Sequence, residues 1–133
     1  MFEFETGISI NQFSSLQLAY IGDAVYELYV RTMLSKDKNI PVNKLHREAT
    51  TYVKAKAQSD TVRKLEPYLT EKELAVFKRG RNAKPATVAK NADVIDYCYA
   101  TGFEALIGYI YLNKDFERLD EILKLSFEMN NEK

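Results

Sequence analysis

Residues 97–112, YCYATGFEALIGYIYL, constrain this chain more than any other stretch: sixteen residues carry one charge, Glu104. Wound as a helix, the stretch presents apolar side chains in every direction, and such a helix is buried on most sides. Gly102 and Gly108 leave room for another backbone to approach closely. A lone carboxylate in this setting is costly unless something pairs with it. The candidates are a cation, a cluster of donors or a metal ion.

A chain of 133 residues suits one domain, residues 1–133, with a real core. Cys98 is the single cysteine, which excludes an internal disulfide and a cysteine metal site and reads as an inert core thiol. The acidic start MFEFETG has no signal-peptide pattern, and no apolar run reaches membrane-spanning length. The expected location is the cytoplasm. Net charge is zero, but unevenly spread: residues 36–90 hold 14 basic and 6 acidic side chains, against 5 and 13 elsewhere. Two readings stand: a polyanion partner for the middle segment, or two solvated faces attracting each other.

Ser14 with Gln17 has the capping-box pattern and predicts a helix from near Ser15 to about Ser35. Within it Asp23 stands among Leu16, Ala19, Tyr20, Tyr26 and Val30 at helical spacings, with Glu27 one turn on. Asp23 therefore repeats the problem of Glu104, a carboxylate where a core residue is expected. A polar loop ending near Pro41 leads to one long amphipathic helix from about Asn43 to Leu65. Thr70 with Glu73 predicts a short helix, TEKELAVFKRG. The segment RGRNAKPATVAKN, basic and broken by Gly80 and Pro85, is expected to be a mobile basic loop. The apolar helix begins near Ala92 or Val94. Asn113 or Asp115 caps an acidic last helix, and the final NNEK is expected to fray. With no strand alternation, the fold class is all-α, a single-domain bundle of about five to seven helices.

Asp23 and Glu104 lie mid-way along the two most apolar helices, and Gly22 and Gly108 permit close contact between them. If the carboxylates converge, they offer hard oxygen ligands suited to Mg²⁺, with Mn²⁺ as a substitute. Beside a basic surface, the natural reaction is metal-assisted phosphodiester hydrolysis. The alternatives are an ion pair with Arg31 or a nearby lysine, or simple exposure in a cleft.

These segments resemble a known family. AYIGDAVYELYVR is similar to the signature of the ribonuclease III catalytic domain, of the form ERLEFLGDAVL, and YATGFEALIGYIYL is similar to its second motif, DTFEALIGAIYLD. LHREATTYVKAKAQ and KRGRNAK resemble its short bacterial Mini branch, which lacks the double-stranded-RNA-binding domain. The resemblance covers nearly the whole chain and implies a bundle of the ribonuclease III type. It makes Asp23 and Glu104 the metal-binding catalytic carboxylates. Two departures stand out: the larger enzymes carry acids where this chain has Ala19 and Thr101, which reduces four carboxylates to two. Glu27 and Thr101 are then candidate supporting residues.

The resemblance also implies a two-fold homodimer, with Tyr20 inserting into the neighbouring subunit. Physically, Tyr20, Tyr26 and Tyr29 are more aromatic surface than one helix of a small monomer needs, with core packing as the alternative. The implied activity is staggered cleavage of double-stranded RNA to 5′-phosphate and 3′-hydroxyl ends. The implied substrate is large-subunit (23S) ribosomal RNA precursor, with a ribosomal protein as a candidate presenter. Duplex RNA is held through phosphates and 2′-hydroxyls, so Lys44, His46, Arg47, Lys54 and Lys56 on the long helix, and Arg79, Arg81, Lys84 and Lys90 on the loop, are RNA-binding candidates. The other function weighed is a non-catalytic, dimeric, structured-RNA-binding protein of the same fold.

Overall fold

Local chemistry sets the ends of the first helix, α1 (Ser15–Ser35). The Ser14 hydroxyl accepts from the Gln17 amide at 3.1 Å and so satisfies one of the free donors of the first turn. The computed structural model describes residues 1–83 and 93–131. Among them it holds five further helices: α2 (Val42–Val53), α3 (Ala55–Leu65), α4 (Glu71–Asn82), α5 (Val94–Leu112) and α6 (Phe116–Asn131). Short 3₁₀ turns precede α1 and α4. No strand occurs among the described residues, and the fold is the expected helical bundle.

The expected long helix is two. At Lys54 the backbone turns extended (φ −64°, ψ 152°), ending α2 and starting α3. No glycine or proline marks the break. The Gln58 side chain bridges it, its Nε2 donating to the Val53 carbonyl at 3.0 Å. Gly80 does not break α4, which runs on through Arg79 and Arg81 to Asn82. A Cβ at Gly80 would lie 2.9 Å from the Ala105 Cβ, so its role is close packing against α5. Of the NNEK expected to fray, Asn130 and Asn131 continue α6, while Glu132 and Lys133 lie outside the described residues. Asn130 Nδ2 reaches the Thr51 carbonyl, and Tyr52 Oη donates to Asn131.

Helix α5 is the axis, with α1, α3, α4 and α6 packed around it. Tyr26, Val30, Phe77, Phe103, Leu106 and Ile107 fill the core. Tyr26 meets Phe103 edge-on at 4.9 Å. The α1–α5 crossing is the tightest contact. A Cβ on Gly22 would stand 1.7 Å from the Glu104 carbonyl oxygen, and one on Gly108 would stand 1.9 Å from that of Leu18. Only hydrogen fits at either position. At the other end, Thr70 and Glu73 form the expected capping box on α4. Arg118 of α6 grips the Glu73 carboxylate through Nε (2.9 Å) and Nη2 (2.8 Å). Asp115 caps α6, accepting from the Arg118 amide. No described helix is long and apolar enough to cross a membrane.

Candidate active site

The glycine contact between α1 and α5 brings Asp23 and Glu104 together. Gly22 sits against the backbone carbonyl of Glu104 itself, so the next residue of α1 is placed beside that carboxyl group. The two side chains hydrogen-bond. Their burial differs from expectation: Glu104 is half-buried, and Asp23 is exposed at the rim. Helical neighbours alone marked Asp23 as a core position. They flank it without covering it, because α5 meets α1 on the Gly22 and Tyr26 side.

The pair carries an electrostatic conflict. Burial, then the nearby charge of Asp23 and the hydrogen bond that the protonated Glu104 carboxyl donates to it, push Glu104 from its ordinary 4.5 up to about 9; a hydrogen bond donated by Gln58 pulls the other way. At neutral pH the Glu104 carboxyl therefore keeps its proton. Glu104 opens onto a cleft of about 140 Å³ lined also by Val53, Ala55, Gln58, Tyr97 and Thr101.

The donor set fits a hard divalent cation. Mg²⁺ typically takes one or two carboxylates and keeps several waters. A dication in place of the Glu104 proton would remove the like-charge conflict. No group of three or more His, Cys, Asp or Glu side chains able to hold a metal occurs among the described residues. A partly hydrated ion suits this pair better than a caged one. Of the candidate supporting residues, Thr101 lines the cleft and Glu27 is engaged elsewhere. Glu27 pairs with Arg31 at 3.5 Å, so Arg31 is not the partner of either site carboxylate. The Thr101 hydroxyl donates to the Tyr97 carbonyl at 3.0 Å. Ala19 is buried in the α1 face.

The basic candidates fall into three places. Lys44, His46 and Arg47 are exposed on α2, and His46 edges a groove shared with Arg31 and Leu34. Lys54 and Lys56 flank the α2–α3 break, next to Val53 and Ala55 of the cleft. Lys56 also pairs with Asp60 at 3.2 Å. Arg79 and Arg81 end α4, while Lys84 and Lys90 lie outside the described residues. Arg63 joins this last group: its guanidinium lies 4.1 Å from the centre of the Tyr99 ring, with that of Arg81 at 5.7 Å from the same ring. An unbroken amphipathic helix had offered no reason to separate Arg63 from a solvated face. On α1, Tyr20 is 79% exposed, in line with exposed Leu16 and Leu28. Tyr26, by contrast, is fully buried and Tyr29 half-buried against Phe127. The aromatic surface is thus smaller than α1 alone suggested. Cys98 is free and half-buried.

A family model for the ribonuclease III domain matches residues 16–115. A Clostridium tetani protein, Mini-ribonuclease 3, is 53% identical over 124 residues, covering 92% of this chain and 82% of the relative. The Mini-ribonuclease 3 of a Thermoanaerobacter species is 50% identical over 130 residues, covering 98% and 92%. A crystal structure of a Fusobacterium nucleatum protein matches with a TM-score of 0.80 at 32% identity, covering 90% of this chain and 95% of that one.

Proposed function

The chain belongs to the ribonuclease III family, whose members are endoribonucleases acting on double-stranded RNA, and from that premise we propose that it is a Mg²⁺-dependent enzyme that cuts with Asp23 and Glu104. The observation that carries the reading is the convergence of these two carboxyls, with Glu104 pushed up to about 9 by burial and by Asp23. A pair that holds a proton at neutral pH only because it is desolvated and crowded by like charge is poised to exchange it for a cation. When bound, Mg²⁺ would neutralise charge building on the scissile phosphate and lower the pKa of a water. Glu104 would give up its proton on loading, and Asp23, at the rim, would be the carboxylate nearest the incoming RNA. Val53, Ala55 and Ala100 give the cleft an apolar wall, and lower local polarity strengthens both interactions.

The duplex would be held by shape and phosphate charge. Lys44, His46, Arg47, Lys54, Lys56, Arg79, Arg81, Lys84 and Lys90 are the proposed contacts, with Arg63 added beside Tyr99. The uncovered line of Leu16, Tyr20 and Leu28 on α1 supports a homodimer with Tyr20 in its interface. Two clefts related by a two-fold axis would cut opposite strands with a stagger, leaving 5′-phosphate and 3′-hydroxyl ends. Maturation of large-subunit (23S) ribosomal RNA precursor in the cytoplasm, with a ribosomal protein presenting the stem, is the proposed role of this single catalytic domain.

The test is cleavage of long duplex RNA and of a structured ribosomal RNA precursor, in Mg²⁺ and in EDTA, by wild type and Asp23→Asn. Metal-dependent cutting by wild type alone is expected. A folded Asp23→Asn protein that cuts normally removes Asp23 from the chemistry. Binding without cutting of either RNA under Mg²⁺ or Mn²⁺ would favour a non-catalytic RNA-binding role.

A further inference from the structure

Gln58 is 1% exposed, yet it sits in the wall of the cleft next to Glu104. Its amide is not free to turn. Nε2 donates to the Val53 carbonyl at 3.0 Å, across the break between α2 and α3. The same amide nitrogen also donates to Glu104. Fixing the nitrogen fixes the oxygen, and Oε1 is buried with no hydrogen-bond partner. A buried carbonyl oxygen left unpaired costs free energy that an apolar side chain of the same size would not. The described residues offer no third acid to complete a metal site. The chain therefore keeps a costly oxygen on the wall that Glu104 shares, where the carboxylates number only two.

We propose that Gln58 is the third oxygen donor of the Asp23–Glu104 site, contributing its Oε1 to a divalent cation while its Nε2 anchors it to the Val53 carbonyl. The inference rests on the metal-site reading above. Carboxamide and carbonyl oxygens suit Mg²⁺ and Mn²⁺ as carboxylates do, without adding negative charge. The break at Lys54 acquires a purpose: an unbroken helix would bond the Val53 carbonyl internally and leave the amide unanchored.

The test is Mn²⁺ binding to the RNA-free full chain, followed by the electron paramagnetic resonance of free Mn²⁺, with folding checked by circular dichroism. Gln58→Met keeps the length and removes the oxygen. The expected result is a Kd raised about tenfold or more. Gln58→Glu is the second variant and is expected to bind Mn²⁺ more tightly than wild type. A folded Gln58→Met protein with wild-type Mn²⁺ affinity overturns the proposal; if that variant does not fold, an unchanged affinity in Gln58→Glu does so. Asp23→Asn, measured alongside, separates the two readings. If it weakens Mn²⁺ binding and Gln58→Met does not, only the Gln58 assignment falls. If neither Asp23→Asn nor Gln58→Met weakens it, the metal site itself is wrong.

Discussion

Replacing Glu104 with glutamine should make the metal-free protein more stable, by an amount that depends on pH. In the unfolded chain the Glu104 carboxyl titrates near its ordinary 4.5, and in the folded chain near 9. Between these values the folded state holds a proton that the unfolded state has lost, so stability falls as pH rises through the window. Each unit is worth ~1.36 kcal/mol, which makes about 3 kcal/mol at pH 7 a ceiling. Solvent screening of the half-buried group reduces the expected gain to ~1–2 kcal/mol. Glutamine is neutral throughout and escapes the penalty. The assay is urea unfolding of wild type and Glu104→Gln in EDTA at pH 5, 7 and 8.5. The two curves should nearly coincide at pH 5 and separate progressively above it, with the variant the more stable. Adding Mg²⁺ should raise wild type and narrow the gap, because a ligand of the native state stabilises it by mass action. Equal stabilities at pH 8.5 in EDTA, or a gap independent of pH, would refute the reasoning.

Gly22→Ala should lower stability by about 3 kcal/mol in the same urea assay, since its Cβ would meet the Glu104 carbonyl oxygen at 1.7 Å. Gly7→Ala, with nothing within 4 Å of the new Cβ, is the control and should change little. The Glu73 carboxyl is held below its ordinary 4.5, first by hydrogen bonds from Arg118. The stability it contributes is present above pH 4.5 and lost as pH falls through its lowered folded value. Glu73→Gln should therefore cost ~1–3 kcal/mol at pH 7 and progressively less in acid unfolding below pH 4.5; a constant gap to pH 2 would count against the ion pair. Neutralising Arg79 and Arg81 together should reduce the salt dependence of duplex binding by about two in the log–log slope. An unchanged slope in filter binding would remove the end of α4 from the RNA contact.

The glycine crossing, the caps at Ser14 and Thr70 and the meeting of the two carboxylates were legible because each is signalled by residues near in sequence or by unusual residue types. The errors share a cause, which is that sequence spacing does not say which neighbour arrives. Asp23 looked buried because its own helix surrounds it with apolar residues, but burial depends on α5, which packs on the neighbouring Gly22 and Tyr26 side and leaves Asp23 at the rim. Gly80 looked like a breaker because glycine often is one, and only the approach of Ala105 makes it a contact. The break at Lys54 carries no glycine or proline, and the apolar period runs straight through it. At the break the Gln58 amide donates to the Val53 carbonyl five residues back, a bond that the apolar period does not signal.

The geometry of the site follows from backbone rather than side-chain packing. Gly22 precedes Asp23 and rests on the carbonyl of Glu104, so the separation of the two carboxyls is set by how closely α1 and α5 approach. Rigid elements hold functional groups more accurately than loops do. That arrangement separates two perturbations which both reach the site. Glu104→Gln removes a ligand and relieves a buried conflict, so metal affinity should fall while metal-free stability rises. Gly22→Ala leaves both ligands in place but pushes their helices apart, so affinity and stability should fall together. Measuring Mn²⁺ affinity and unfolding free energy on the same two proteins therefore tests whether the glycine contact spaces the carboxylates or merely packs the core. If Gly22→Ala lowered stability yet bound Mn²⁺ like wild type, the helix crossing would not be what positions the pair.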